Sequence, residues 1–276
     1  MARIKSINSV IVPFRAPEIT KRISLFPQEL IDFHDRNMKI EDRFQIIDKF
    51  LDTFPSWIGL DLKRFRAYPT SGSTEAIASS LREALRTGKT IALVENEYRY
   101  YQHVCSTLSI NYKTIRDPKE LTYNDIFVTS IPFCKTGLVS NIQFAALDKC
   151  ENEGIECWID CAYLGTGEDI SFSIPKSTTN IFFTFSKNMG LSLQRIGIWY
   201  SSWVMPDRDV VLDCGYTNIG NIALVTDLMQ TFPRGWLFKN YRSVQLSCTS
   251  TPINIVYMDS NGCITNKMYD FIEKRK

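Results

Sequence analysis

A lysine, Lys187, closes the aromatic run "FFTFS", and an arginine, Arg195, follows in "KNMGLSLQRIG". An amine set just beyond an apolar, strand-forming run is open to desolvation, which lowers its pKa and makes it a nucleophile toward an aldehyde. The commoner fate of such a lysine is to snorkel to the surface. Asp160 leaves a second apolar run in "WIDCAY", with Tyr163 behind it. A carboxylate in that position needs a partner, because an unpaired buried charge is costly; an arginine or a protonated ring nitrogen would serve. In "YPTSGSTEAI", Gly72, Ser73 and Thr74 precede a strong helix former. Backbone N–H groups at a helix start favour a phosphate and glycine lets the backbone approach it, although the same residues are ordinary cap material. Tyr98, in "ENEYRYYQHVC", follows the apolar "IALVEN". It can lie flat against a planar ring, or sit half-exposed on an amphipathic helix.

The elements that must position these residues alternate in type. Helical periodicity with a glycine stop in "TEAIASSLREALRTG" gives way to a buried strand, "TIALVEN". A helix over "YRYYQHVCSTLS", a strand "DIFVTSI", a helix "NIQFAALDKCENEG" and strands "ECWIDCAY", "NIFFTFS" and "RIGIWYSS" complete the pattern. Such alternation predicts an α/β fold, a mainly parallel sheet with helices on both faces, whose ligands sit beyond the carboxyl ends of the strands. The candidate residues stand at those strand ends. Before residue 62 the pattern is helical, in "PQELIDFHDR" and "IEDRFQIIDKFLDTF"; after Tyr200 a helix is expected over "GNIALVTDLMQTF" and strands over "SVQLSC" and "NIVYMD". The expected organisation is an N-terminal helical segment (1–61), an α/β core (62–203) and a C-terminal subdomain (204–276).

Composition narrows the partners. Thirty-two basic against thirty acidic residues leave a net charge of +2, which gives no electrostatic footprint for nucleic acid or an anionic membrane. A small polar substrate is expected instead. Eight cysteines without a CxxC pair, and no apolar N-terminal stretch or membrane-length run, suggest a soluble cytoplasmic chain with reduced thiols. Two histidines, His34 and His103, are too few for a His-rich metal site or a Ser/His/Asp triad. "RTGKT", 86–90, ends like a Walker A motif but has Glu83 where a glycine belongs and runs from helix into strand, the wrong context for a P-loop.

A phosphate seat, a stacking aromatic, an acid for a pyridinium nitrogen and an amine for an aldehyde are together the handles of pyridoxal 5'-phosphate. From "TSGSTEAI" through "EYRYY", "KTG" and "DCAY" to "FSKNMGLSLQRIG", residues 62–203 resemble the class I/II aminotransferases of the fold-type-I pyridoxal-phosphate enzymes. The resemblance implies that Lys187 carries the cofactor as a Schiff base and moves the proton of the substrate. It implies that Asp160 keeps the ring nitrogen protonated, Tyr98 stacks on the ring and Tyr163 bonds its phenolic oxygen. Ser73, Thr74, Thr184 or Ser186, and Arg195 would hold the phosphate, and a homodimer is implied.

Two departures accompany the likeness. The family's ring-contacting asparagine falls on Cys134 in "IPFCKTG", and cysteine is a poorer donor. The C-terminal part is short, with Arg234 and Arg242 as candidates for a substrate carboxylate, although surface pairing is the commoner role for such arginines. The expected activity is therefore that of an aminotransferase acting on an amino acid or related amine. The alternatives are a decarboxylase or lyase using the same cofactor, and a non-catalytic protein of this fold.

Overall fold

The computed structural model describes residues 13–27, 38–134, 136–249, 255 and 264–275. Its framework is a seven-stranded sheet built from β1 (Arg66–Thr70), β2 (Thr90–Val94), β3 (Tyr112–Ile115), β4 (Asp125–Ser130), β5 (Glu156–Asp160), β6 (Thr178–Thr184) and β7 (Gly197–Ser201). The order is β1-β7-β6-β5-β4-β2-β3. β7 pairs antiparallel with both β1 and β6, while every other pairing is parallel. β1 and β6 consequently run in the same direction as β2, β4 and β5, and the carboxyl ends of these five strands share one edge.

Every residue of β4 and β7 is buried, as expected of strands covered on both faces. Successive side chains go to opposite sides. Phe182 and Trp199 join one cluster with Tyr68, Ile77, Leu81, Tyr101 and Trp158, under α3 (Ser73–Leu85) and α4 (Arg99–Leu108). Phe183, Ile198 and Tyr200 join the other. There they meet α2 (Ile40–Ile58), which buries Ile47, Phe50, Phe54 and Ile58 along one stripe and stops at Gly59 with φ 72°. The Phe54 ring stands edge-on to Phe183 with centroids 4.9 Å apart. Truncating Phe54 to alanine would cost about 3–5 kcal/mol, the usual range for a buried aromatic. The same cluster takes Ile222, Val225 and Leu228 of α8 (Ile219–Thr231). The remaining helices are α1 (Pro17–Leu25), α5 (Asn141–Glu153), the single turn α6 (Phe185–Asn188), α7 (Pro206–Asp213), α9 (Trp236–Cys248) and α10 (Ile264–Glu273).

One expectation is overturned. "SVQLSC" is not a strand but the end of α9, whose buried residues Leu237, Tyr241 and Gln245 form a helical stripe. The stripe is masked in the sequence because Gln245, fully buried, is polar, so Val244 and Leu246 mimic strand alternation. β1 and β3 were not expected: Pro69 argues against a strand, yet β1 lies at the sheet edge, where proline is tolerated. The strand expected over "NIVYMD" and the helix over "PQELIDFHDR", with His34, lie outside the described residues apart from Ile255 and Pro27.

Candidate functional site

The shared strand edge brings the candidate residues together. Asp160 ends β5 and is 3% exposed. Its Oδ1 accepts the Ala162 N–H at 3.0 Å and its Oδ2 accepts the Tyr101 hydroxyl at 3.0 Å. Burial raises its pKa to about 7, helped by the nearby charge of Glu97, with Ala162, Tyr101 and Lys187 opposing. Lys187 lies in α6, immediately after β6, and its amine is lowered to about 8 by burial and by the positive charge of Arg195, with Asp160 opposing. Its Nζ lies 5.6 Å from the centroid of the Tyr163 ring. Tyr163 in turn feels Cys134, Tyr98 and Asp160, and burial holds its phenol well above the usual range. Tyr98 caps the start of α4, is 43% exposed, and feels the charges of both Asp160 and Arg195. Its ring stands edge-on to Tyr101, centroids 6.3 Å apart.

At the other end, three chain segments converge. Gly72 adopts φ 88° and precedes α3, which starts with Ser73, buried, and Thr74, half-buried. A Cβ on Gly72 would lie 3.1 Å from Arg195 Nη2 and 3.6 Å from Thr184 Oγ1. Arg195, itself at φ 50°, donates from Nη2 to the Ser71 carbonyl at 3.0 Å. Thr184 Oγ1 donates to Ser186 Oγ at 3.0 Å. Gly197 allows this convergence: its Cβ would stand 2.6 Å from the Phe183 carbonyl oxygen and 2.7 Å from Gly72 Cα. A cleft of about 610 Å³ opens against Thr70, Ser71 and Arg195, with Arg208 and Tyr216 on its walls; neither Lys187 nor Asp160 lines it.

The residues present fit pyridoxal phosphate. A glycine whose missing side chain leaves space between a guanidinium and a hydroxyl at a helix start suits a phosphate. A desolvated amine and a buried carboxylate lie on the same edge. Among the described residues no group of three or more His, Cys, Asp or Glu could hold a metal ion.

Sequence reasoning missed Glu97, Tyr101 and Ser130. Glu97 is 2% exposed and accepts from Ser130 Oγ at 2.6 Å, the Ser130 N–H at 2.8 Å and the Tyr98 N–H at 2.9 Å. Tyr101 had a signal, since it lies one helical turn beyond Tyr98; nothing in the sequence turns Glu97 inward. Arg234 and Arg242 are engaged elsewhere. Arg234 bonds the Ile58 carbonyl and pairs with Asp169, while Arg242 lies over the Phe238 ring and bonds Gln245 at 2.9 Å. Lys89 of the Walker-like segment pairs with Glu156 at 3.1 Å. No helix among the described residues is long and apolar enough to cross a membrane.

No known protein-family model and no curated protein matches the sequence. Solved structures do. The N-succinyldiaminopimelate aminotransferase from Mycobacterium tuberculosis superposes with a TM-score of 0.62 at 15% identity, covering 86% of this chain and 69% of that one. The histidinol-phosphate aminotransferase from Clostridium acetobutylicum gives 0.56 at 13% identity, over 85% and 74%. The L-threonine-O-3-phosphate decarboxylase from Porphyromonas gingivalis gives 0.56 at 12%, over 87% and 75%. The expected α/β architecture is thus present, and the fold is that of the class I/II, fold-type-I aminotransferases.

Proposed function

We propose that this chain is a pyridoxal-phosphate-dependent enzyme, an aminotransferase acting on an amino acid or related amine. One observation carries the proposal: a half-buried, desolvated amine (Lys187), a buried carboxylate (Asp160) and the Gly72–Thr184–Arg195 cluster lie at one strand edge, and the amine feels the charges of both Asp160 and Arg195. When bound, the cofactor supplies an electron sink for a carbanion at the substrate's α-carbon. The protein's side chains do the rest. Arg195, Ser73 and Thr74, with Thr184 or Ser186, hold the phosphate. Asp160, anionic above about pH 7, holds the proton on the ring nitrogen. Tyr98 covers one ring face and Tyr163 donates to the ring's phenolic oxygen. Lys187, neutral above about pH 8, would hold the aldehyde end of the cofactor and, when free of it, would serve as the general base for the substrate's α-proton.

The core over residues 62–203 supplies all of these groups, with the flanking segments 1–61 and 204–276 as separate supports. A homodimer in the cytoplasm completes the proposal; the described cysteines are all free thiols. A decarboxylase or lyase is the second reading, favoured by the likeness to the threonine-phosphate decarboxylase. The first test is borohydride reduction of protein incubated with pyridoxal phosphate, which should fix a pyridoxyl label on Lys187 and none on Lys187→Ala. An equal label on the variant refutes the assignment. Stoichiometric formation of an α-keto acid with the amine form of the cofactor then marks an aminotransferase; carbon dioxide marks a decarboxylase.

A further inference from the structure

Glu97 is the feature of the site that the proposed function leaves unused. Asn96, at φ 67°, turns the chain after β2 so that the next side chain enters the protein. The Glu97 carboxylate is satisfied by neutral donors: Ser130 through both its N–H and its hydroxyl, and the Tyr98 N–H. The Cys134 N–H donates to Ser130 Oγ at 2.9 Å, so the Cys134 loop hangs on the same carboxylate. None of the described ion pairs includes Glu97. On the neighbouring strand, Asp160 is the register partner of Ser130 and feels Glu97 directly.

A neutral hydroxyl or amide could tie these loops together without the cost of burying a second anion. The charge therefore asks for a positive group at this end of the seat. Lys187 and Arg195 are the cations that reach the site, and both belong to the aldehyde and phosphate ends. The other titratable groups facing Asp160 are the phenols of Tyr98, Tyr101 and Tyr163 and the thiols of Cys134 and Cys161, all held above their ordinary pKa values and so neutral.

We propose that Glu97 is a positioning residue of the cofactor seat: it holds the Cys134 loop through Ser130 and places a second carboxylate behind Asp160, so that the seat selects a ring whose nitrogen carries a proton. The inference rests on the proposed binding of pyridoxal phosphate. It departs from the expectation that position 134 serves the ring's phenolic oxygen, because the Cys134 loop is tied through Ser130 to Glu97.

The test uses the cofactor-free full chain and two readouts. The first is the ratio of dissociation constants for pyridoxal phosphate and for its analogue with C–H in place of the ring nitrogen. Glu97→Gln should reduce the preference for the natural ring about tenfold, the effect of one pKa unit of charge interaction. The second is the rate at which iodoacetamide alkylates Cys134 at pH 8.5, read by mass spectrometry with Cys214 as internal reference; Glu97→Gln should raise it several-fold by removing the anion that holds the thiol protonated. Ser130→Ala keeps the charge but cuts the tether, so it should speed alkylation and leave the ring preference unchanged. Glu97→Thr is the second neutral variant should the glutamine protein not fold. Wild type that binds pyridoxal phosphate, with variants unchanged in both readouts, overturns the role of Glu97 alone. Wild type that takes up no pyridoxal phosphate overturns the cofactor proposal and this inference with it.

Discussion

Replacing Asp160 by asparagine should make the cofactor-free protein more stable at alkaline pH while weakening cofactor binding. Burial moves this carboxyl from an ordinary 3.8 to about 7. A group whose folded pKa is raised contributes stability that is present in full below its unfolded pKa and is lost as pH rises through the folded value. At 1.36 kcal/mol per pKa unit, wild type should lose about 4 kcal/mol between pH 4 and 8 that Asp160→Asn does not lose. The asparagine keeps the acceptor for the Ala162 N–H. Its amide group faces the Tyr101 hydroxyl, which must then accept rather than donate, at a cost of about 1 kcal/mol. The variant should therefore be slightly less stable than wild type near pH 4. At pH 9, where Lys187 is also neutral and no longer draws on the Asp160 charge, it should be more stable by about 3 kcal/mol. Urea unfolding of both cofactor-free proteins across this pH range measures the difference directly. Parallel pH curves, or a less stable variant at pH 9, would show that Asp160 is not the desolvated carboxylate described above. The same variant should bind pyridoxal phosphate more weakly, so the two effects have opposite sign and a general loss of structure cannot imitate them.

Capture of pyridoxal phosphate by Lys187, followed by absorbance in stopped flow, should accelerate with pH through about 8 and level off above it; a rate still climbing tenfold per unit at pH 10 would mean an exposed, ordinary lysine. Gly197→Ala should destabilise the protein by about 1–3 kcal/mol and weaken cofactor binding, because the added methyl meets backbone on two sides; unchanged urea midpoint and affinity would remove the close approach of Gly72 and Gly197 from the account. Arg195→Ala should weaken binding of pyridoxal phosphate at least tenfold and leave unphosphorylated pyridoxal nearly unaffected, as measured by fluorescence titration; equal losses for both would place Arg195 away from the phosphate.

The parts of this protein that were legible in its sequence are those in which chemistry and periodicity coincide. Asp160 and Thr184 each end a run of buried strand residues and Lys187 follows in the helical turn after Thr184, so the strand rule alone predicts their common edge. Gly72 was legible as a helix start, but its partner Gly197 was not. That glycine is required by a contact between residues remote in sequence, and its neighbours Ile196 and Ile198 give no sign of it. Glu97 was hidden for a related reason. Its place in the polar, charged stretch "ENEYR" reads as solvent-facing, and only the left-handed turn at Asn96 sends it inside. In the C-terminal region the fully buried Gln245 broke the apolar pattern of α9, and periodicity failed where a polar side chain occupies a core position.

The charges of the site follow a single arrangement. Arg195 and Lys187 repel, which helps to free the amine of its proton; Glu97 and Asp160 repel, which helps to keep one carboxyl protonated. Each like-charged pair is destabilising without a ligand, and in the proposed seat one pair serves the phosphate and the other the ring nitrogen. A ligand carrying a phosphate at one end and a protonated ring nitrogen at the other relieves both at once, whereas a phosphate alone or a neutral ring relieves only one. Cofactor binding should therefore be cooperative between its two ends. In a cycle that combines Arg195→Ala with Asp160→Asn, the losses in affinity should fall short of additivity, and simple addition within error would mean that the two ends are gripped independently.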